Sequence, residues 1–198
     1  MMVTASREIC ADACFLLNLV ATGCGKEILE GGDLRLLSHR EVMSEALYLV
    51  EWAAEGHRIQ APVDLGSLAP LLEARDLNDE GRGVLVAAAA FLTDRDATAV
   101  ALAVQAGVPL ATDDRRIRRI VAEHFPELPL VSTLEVLKDA TERMKMSTTE
   151  AGDLLRCVRD RGNFAPPRDD PLSDWYSDVL STPNPSGDTD SSAGRPRR

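Results

Sequence analysis

The sequence predicts an α/β protein in which a mostly parallel sheet is covered on both faces by helices. Two observations predict it: short apolar runs alternate with capped helical segments along most of the chain, and acidic residues recur where those runs end. Parallel strands need crossover connections, and the helices between the runs supply them. The chain has 198 residues, enough for one core with an addition, so it divides as a main domain over 1–140, a helical extension over 141–180 and a tail over 181–198.

Glu8 to Asp12 (EICAD) reads as a buried strand ending in an acid, followed by a helix from Phe15 to Val20 that Gly23 and Gly25 stop. Leu34 to Leu37 is the second strand. Ser38-His-Arg-Glu41 then has the spacing of a capping box, opening a helix that runs to about Glu55. Arg58 to Val63 is extended, with Pro62 suited to an edge or an end. Asp79 to Leu92 is helical, and Thr93 caps a further helix ending at Gly107. Val108 to Thr112 is a strand followed by Asp113-Asp114 and a helix over Arg115 to His124. Leu128 to Val131 is the last strand, and Ser132 to Glu135 and Ser147 to Glu150 are capping boxes for two further helices. Leu172 to Leu180 is amphipathic, so Trp175, Tyr176, Val179 and Leu180 can dock it. From Ser181 onward the chain has no apolar residue but Ala193 and cannot offset its own ordering entropy, which predicts a disordered tail.

Charge narrows the functional classes. A net charge of -10 excludes a protein that coats nucleic acid through a general basic field, so any nucleic-acid role must rest on a local site. Ala13 to Ala21 is apolar, but Asn18 interrupts it and Asp12 precedes it, and no stretch approaches the roughly 20 apolar residues of a membrane span. The expectation is a cytoplasmic protein. Cys10, Cys14, Cys24 and Cys157 have no zinc-ligand spacing and read as buried thiols of a reducing compartment. His39, His57 and His124 form no relay with a Ser or Cys.

In an open parallel sheet the ligand crevice lies beyond the carboxyl ends of the strands, and Asp12 and Asp113-Asp114 occupy that end. Two carboxylates about 4 Å apart at an effective dielectric near 20 repel by on the order of 4 kcal/mol. Gathered acids therefore call for cations, and hard divalent ions with oxygen ligands, Mg2+ or Mn2+, suit them. Each acid has a structural reading beside the functional one. Asp12 can cap the helix after it, Asp96 completes a capping box with Thr93, one of Asp113 and Asp114 must cap the next helix, and Glu41 is accounted for by Ser38. Their recurrence at one end of one sheet is what favours a shared site. Arg115, Arg116, Arg118 and Arg119 make the densest positive patch and are candidates for phosphate contact, or for pairing with nearby acids on a solvated surface.

The order of these pieces resembles the PIN-domain family. The resemblance rests on Asp12 with Leu16, Leu17 and Asn18 in DACFLLNL, Glu45 in VMSEALYLV, Asp96 in DRDATAVALAVQAG, and Asp114 followed by Arg115 in LATDDRRIRR. A bacterial branch with a stretch similar to VSTLEVLKDA is the nearest in pattern, and the resemblance covers about Glu8 to Phe164. It implies an α/β/α sandwich, an acidic pocket for one or two Mg2+ or Mn2+ ions, and hydrolysis of RNA phosphodiester bonds. Carried over by position, Asp12, Glu45, Asp96 and Asp114 match the catalytic and metal-binding acids, with Glu41 and Glu51 as alternatives to Glu45, and Asn18 and Asp113 match auxiliary polar positions. Ala13 and Cys14 stand where many relatives place a small polar residue. The family also implies a setting: a toxin held inactive by a small antitoxin encoded beside it, with a homodimer formed through helices of the first half. Two other readings compete, a non-catalytic PIN-like binding module and a receiver-like signalling domain. The second is disfavoured because the paired acids come late in the chain.

Overall fold

The computed structural model describes residues 7–45, 47–53, 57–167 and 170–182. The strands are β1 (Arg7–Ala11), β2 (Leu34–Ser38), β3 (Tyr48–Trp52), β4 (Arg58–Pro62), β5 (Leu72–Ala74), β6 (Leu110–Ala111) and β7 (Leu130–Val131). The helices are α1 (Ala13–Ala21), α2 (Gly25–Gly31), α3 (Arg40–Met43), α4 (Asp79–Ala88), α5 (Asp94–Ala106), α6 (Arg115–His124), α7 (Thr133–Arg143), α8 (Thr148–Arg161) and α9 (Ser173–Ser181). Five strands form one sheet in the order β5-β2-β1-β6-β7. Every pairing in it is parallel.

The strands alternate between two cores, which makes the molecule a three-layer α/β/α sandwich. Ala11 faces a core with Phe15 and Leu16 of α1, Leu134 of α7 and Leu155 of α8. Cys10, one residue earlier, faces the opposite core with Val100 of α5 and Ile117 of α6. This period-two alternation is what a sheet buried on both sides requires. The extension joins the first of these cores: Leu154, Leu155 and Val158 of α8 and Tyr176 and Val179 of α9 belong to it. Trp175 and Leu180 pack against it as the amphipathic pattern predicts.

Most helix starts fall where the caps predict. Asp12, Asn78, Thr93, Asp114, Ser132 and Ser147 each accept a backbone N–H from the first turn of the next helix. Gly107 ends α5 in the left-handed region at φ 65.

Other expectations are corrected. No helix runs from Ser38 to Glu55. Ser38 instead donates its hydroxyl to the Ala11 carbonyl at 3.1 Å. His39 takes over the cap, accepting from Glu41 N–H, and α3 lasts only to Met43. The chain then forms an antiparallel hairpin, with Tyr48 opposite Pro62 and Trp52 opposite Arg58. YLVEW is rich in aromatic and β-branched residues, and its alternation of buried Leu49 with exposed Tyr48 and Trp52 is a strand period. Gly25, expected to stop α1, opens α2 instead. A side chain there would meet Leu68 Cδ2 at 2.8 Å and the Leu19 carbonyl at 2.9 Å, so glycine is needed for close approach. The three-residue strand β5 carries no sequence signal, being too short to show a period. Of the four thiols only Cys10 is fully buried; Cys24 and Cys157 are half-buried and Cys14 is exposed. The predicted disordered tail lies outside the described residues from 183 onward. No helix among the described residues is long and apolar enough to cross a membrane.

Because α8 shares its core with α1 and β1, damage there should destabilise the whole. Leu155→Ala is expected to cost about 2–5 kcal/mol. Urea denaturation should show the midpoint falling within a single transition; a separate early transition would instead mark the extension as an independent unit.

Candidate functional site

The order of the five strands reverses between β1 and β6, and ligand crevices in open parallel sheets form at such a point. The pairing that defines it is two residues long, Cys10 opposite Leu110 and Ala11 opposite Ala111. Each strand then delivers an acid at its carboxyl end.

Asp12 continues the ladder, its N–H donating to the Ala111 carbonyl at 3.2 Å. Its side chain turns inward to cap α1, accepting from Phe15 N–H at 2.7 Å, and the residue is only 5% exposed. Burial pushes its carboxyl up to about 7; hydrogen bonds from Thr112 and Phe15 pull back, while the charges of Asp113 and Asp96 push further.

The two acids after β6 divide their tasks. Asp114 caps α6 through one oxygen, Oδ1, which accepts from Arg116 N–H at 2.6 Å and Ile117 N–H at 3.0 Å. Oδ2 takes no part in the cap. Asp113 points the other way, into a polar nest. Its Oδ1 accepts from Thr133 N–H at 2.9 Å, and its Oδ2 accepts from Asn18 Nδ2 at 3.2 Å and from the Thr133 hydroxyl. Burial raises its pKa against the pull of these donors and, more weakly, of Arg118. Asn18 and Asp113, the two residues that the resemblance matches to auxiliary positions, are thus bonded to each other. Thr133, which the sequence offers only as the residue after a cap, is the chief anchor of Asp113.

Asp96 sits in the first turn of α5. Thr93 accepts its N–H at 3.3 Å and donates its hydroxyl to Asp96 Oδ2 at 2.8 Å, so the capping role is realised. Its charge nonetheless reaches Asp12. Glu45 lies after α3 and not on a helical face; its Oε1 meets Arg95 at 3.3 Å. Of the alternatives, Glu51 is committed elsewhere, to Arg161 at 3.3 Å, and Glu41 is an exposed first-turn residue of α3.

One side chain registers the convergence. Cys14 lies on the first turn of α1, and although the residue is exposed its thiol is pushed up to about 12. Loss of water is the main cause, followed by the charges of Asp12, Asp114, Glu45 and Asp113. Acids from three separate segments therefore act on one point. Among the described residues, no three His, Cys, Asp or Glu side chains stand close enough to hold a metal ion as they are placed. The donor type still fits Mg2+ or Mn2+, since the donors are carboxylates and no ion pair between described residues neutralises Asp12, Asp113 or Asp114. The arrangement is an open acidic corner and not a closed cage.

Beside this corner lies a cleft of about 650 Å³. Cys14, Asn18, Asp113 and Asp114 line one side with Arg115 and Arg116, and Gly162 to Pro167 form the other. Arg116 donates to the Phe91 carbonyl at 2.5 Å and Arg118 to the Thr112 carbonyl at 3.1 Å, so both are held in place by backbone. Arg119 is exposed and does not line the cleft. The C-terminal wall is invisible in the sequence, because nothing in GNFAPP marks it as part of a site. Compared with protein-family models, with curated proteins and with solved structures, the chain finds no match.

The buried carboxyl has a measurable consequence. Asp12 is held at about 7 in the folded state against 3.8 for the free group, so the fold favours its protonated form. That contribution is fully present below about pH 4 and is lost as pH rises through about 7. At about 1.4 kcal/mol per unit the change amounts to about 4 kcal/mol. In divalent-free buffer, urea midpoints should therefore fall between about pH 4 and 7 in the wild type and fall less in Asp12→Asn, making the variant the more stable protein at neutral pH. Parallel curves for the two proteins would rule this out.

Proposed function

We propose that this chain is a metal-dependent endoribonuclease of the PIN-domain kind, hydrolysing RNA phosphodiester bonds at the acidic corner. The single observation that carries the reading is the placement of Asp12 and of Asp113-Asp114 just past the carboxyl ends of β1 and β6, where strand order reverses, beside an open cleft that Asp113 and Asp114 line. Asp12, Asp113 and Asp114 have no ion-pair partner among the described residues, gathered carboxylates are unfavourable without cations, and phosphodiester hydrolysis is a reaction that uses such a group.

In this reading Asp12, Glu45, Asp96 and Asp114 hold Mg2+ or Mn2+. When bound, such an ion supplies a water of lowered pKa and neutralises charge developing on the phosphate. The chain's own contribution is to hold the donors. The Phe15 amide orients Asp12, Asn18 and Thr133 orient Asp113, and the cap of α6 orients Asp114 while leaving Oδ2 for a further contact. Arg115 and Arg116, on the cleft wall, meet the phosphate chain. The resemblance extends the proposal to a toxin restrained by a small antitoxin and active in the cytoplasm, and to a homodimer.

One observation favours a second reading. Asp12, Asp96 and Asp114 all serve helix caps, and no three acids among the described residues close on an ion, as expected of a PIN-like binding module without catalysis. Structured RNA incubated with purified protein separates the two. The enzyme reading requires cleavage that depends on Mn2+ and drops by about 100-fold or more in an Asp12→Asn, Asp114→Asn double variant; equal cleavage by wild type and variant would sink it.

Metal binding has its own check. Isothermal titration with Mn2+ should lose its signal in Asp96→Ala, a change that costs the fold only about 1 kcal/mol as a weakened cap. Unchanged affinity would return Asp96 to a purely structural role.

A further inference from the structure

The β3–β4 hairpin stands apart from the five-stranded sheet and shows two unlike faces. On the inner face Leu49 is buried, and Glu51 meets Arg161 of α8 at 3.3 Å. On the outer face Tyr48 is 49% exposed and Trp52 66% exposed. Arg58, directly opposite Trp52, places its guanidinium 5.9 Å from the indole centroid, and Val50, Gln60 and Pro62 complete the face. In a chain with only 4% aromatic residues, presenting two of them to water on one strand has no basis in the fold, because their burial would stabilise it.

We propose that this outer face is a stacking platform for single-stranded RNA, with Tyr48 and Trp52 receiving nucleobases and Arg58 a phosphate. The proposal deepens the ribonuclease reading, on which it rests, by naming how substrate is held away from the acidic corner. Unpaired bases expose the π-faces that aromatic side chains accept, whereas a duplex keeps its bases stacked inside. Charge agrees. The chain carries -10 overall, yet the one carboxylate of β3, Glu51, is turned to the inner face and tied to Arg161, while Arg58, whose charge also reaches Asp160 of α8, supplies the outer face with a cation. Position agrees as well. Tyr48 follows Glu45 by three residues and Trp52 by seven, so the platform begins at most about 11 Å and ends at most about 25 Å along the chain from that acid. Interfaces between proteins also favour Tyr, Trp and Arg, so a second copy of the protein is the rival occupant that the experiment has to separate from RNA.

Binding is to be measured by fluorescence anisotropy of a labelled single-stranded oligouridylate with metal-free protein in EDTA, so that cleavage does not intervene. Trp52→Ala should weaken binding about tenfold or more, Tyr48→Ala with Trp52→Ala further, and Trp52→Phe by no more than about threefold. Arg58→Glu should weaken it without removing an aromatic ring, and the matching duplex should bind less tightly than the single strand. Thermal midpoints should be unchanged, the side chains being exposed. Wild-type affinity in both the Trp52→Ala and the double variant would overturn the proposal. So would light scattering that shows a dimer becoming a monomer in the double variant while RNA affinity holds, which would make the face an interface between copies. Failure of the ribonuclease reading is distinct: RNA would bind through Trp52 and remain uncut with Mn2+.

Discussion

The two-residue pairing of β1 with β6 is the constraint on which everything else hangs. It joins the two halves of the sheet, and it is made by small or slender side chains, Cys10 and Ala11 against Leu110 and Ala111, all fully buried. Because both strands run the same way and end together, the first residues after each, Asp12 and Thr112 to Asp114, emerge at the same edge. Asp12 and Asp113-Asp114 are neighbours for that reason alone. The parallel ladder also ends at that edge, so the polar groups beyond it must be satisfied by neighbouring strands or by the next few residues of the chain. The backbone amides of Asp12 and Thr112 still bond to the neighbouring strands, the caps at Asp12 and Asp114 satisfy the first amides of α1 and α6, and Thr112 accepts from Asp114 N–H.

Structure and chemistry are therefore superposed at this corner and not competitors for it. A carboxylate that caps a helix through one oxygen is held rigidly and keeps the other oxygen, as Asp114 does with Oδ1 engaged twice. The cap fixes the direction in which the remaining lone pairs point. Asp113, by contrast, spends both oxygens on neutral donors and so anchors α7 to the loop after β6.

The legible part of the fold follows a physical division. Caps are local, and Ser132 with Glu135 or Ser147 with Glu150 identify helix starts from four residues. Long alternation of strand and helix is likewise local, so the sandwich is readable without any knowledge of contacts. Tertiary contacts decide the rest. Ser38 has a capping partner within reach in Glu41, but the Ala11 carbonyl on the neighbouring strand takes its hydroxyl, and the helix expected from it shrinks to a single turn. Glu45 accordingly lies in a loop, where it pairs with Arg95. Which of Asp113 and Asp114 caps α6 is open in the sequence because both can reach it; Asn18 and Thr133, 95 and 20 residues away from Asp113, decide it.

The far wall of the cleft, Gly162 to Pro167, is among the last parts of the described chain, while the residues of the near wall belong to the first and middle parts. The order of translation thus brings out the residues of the acidic corner before those of the opposite wall, which follow α8 directly in the chain.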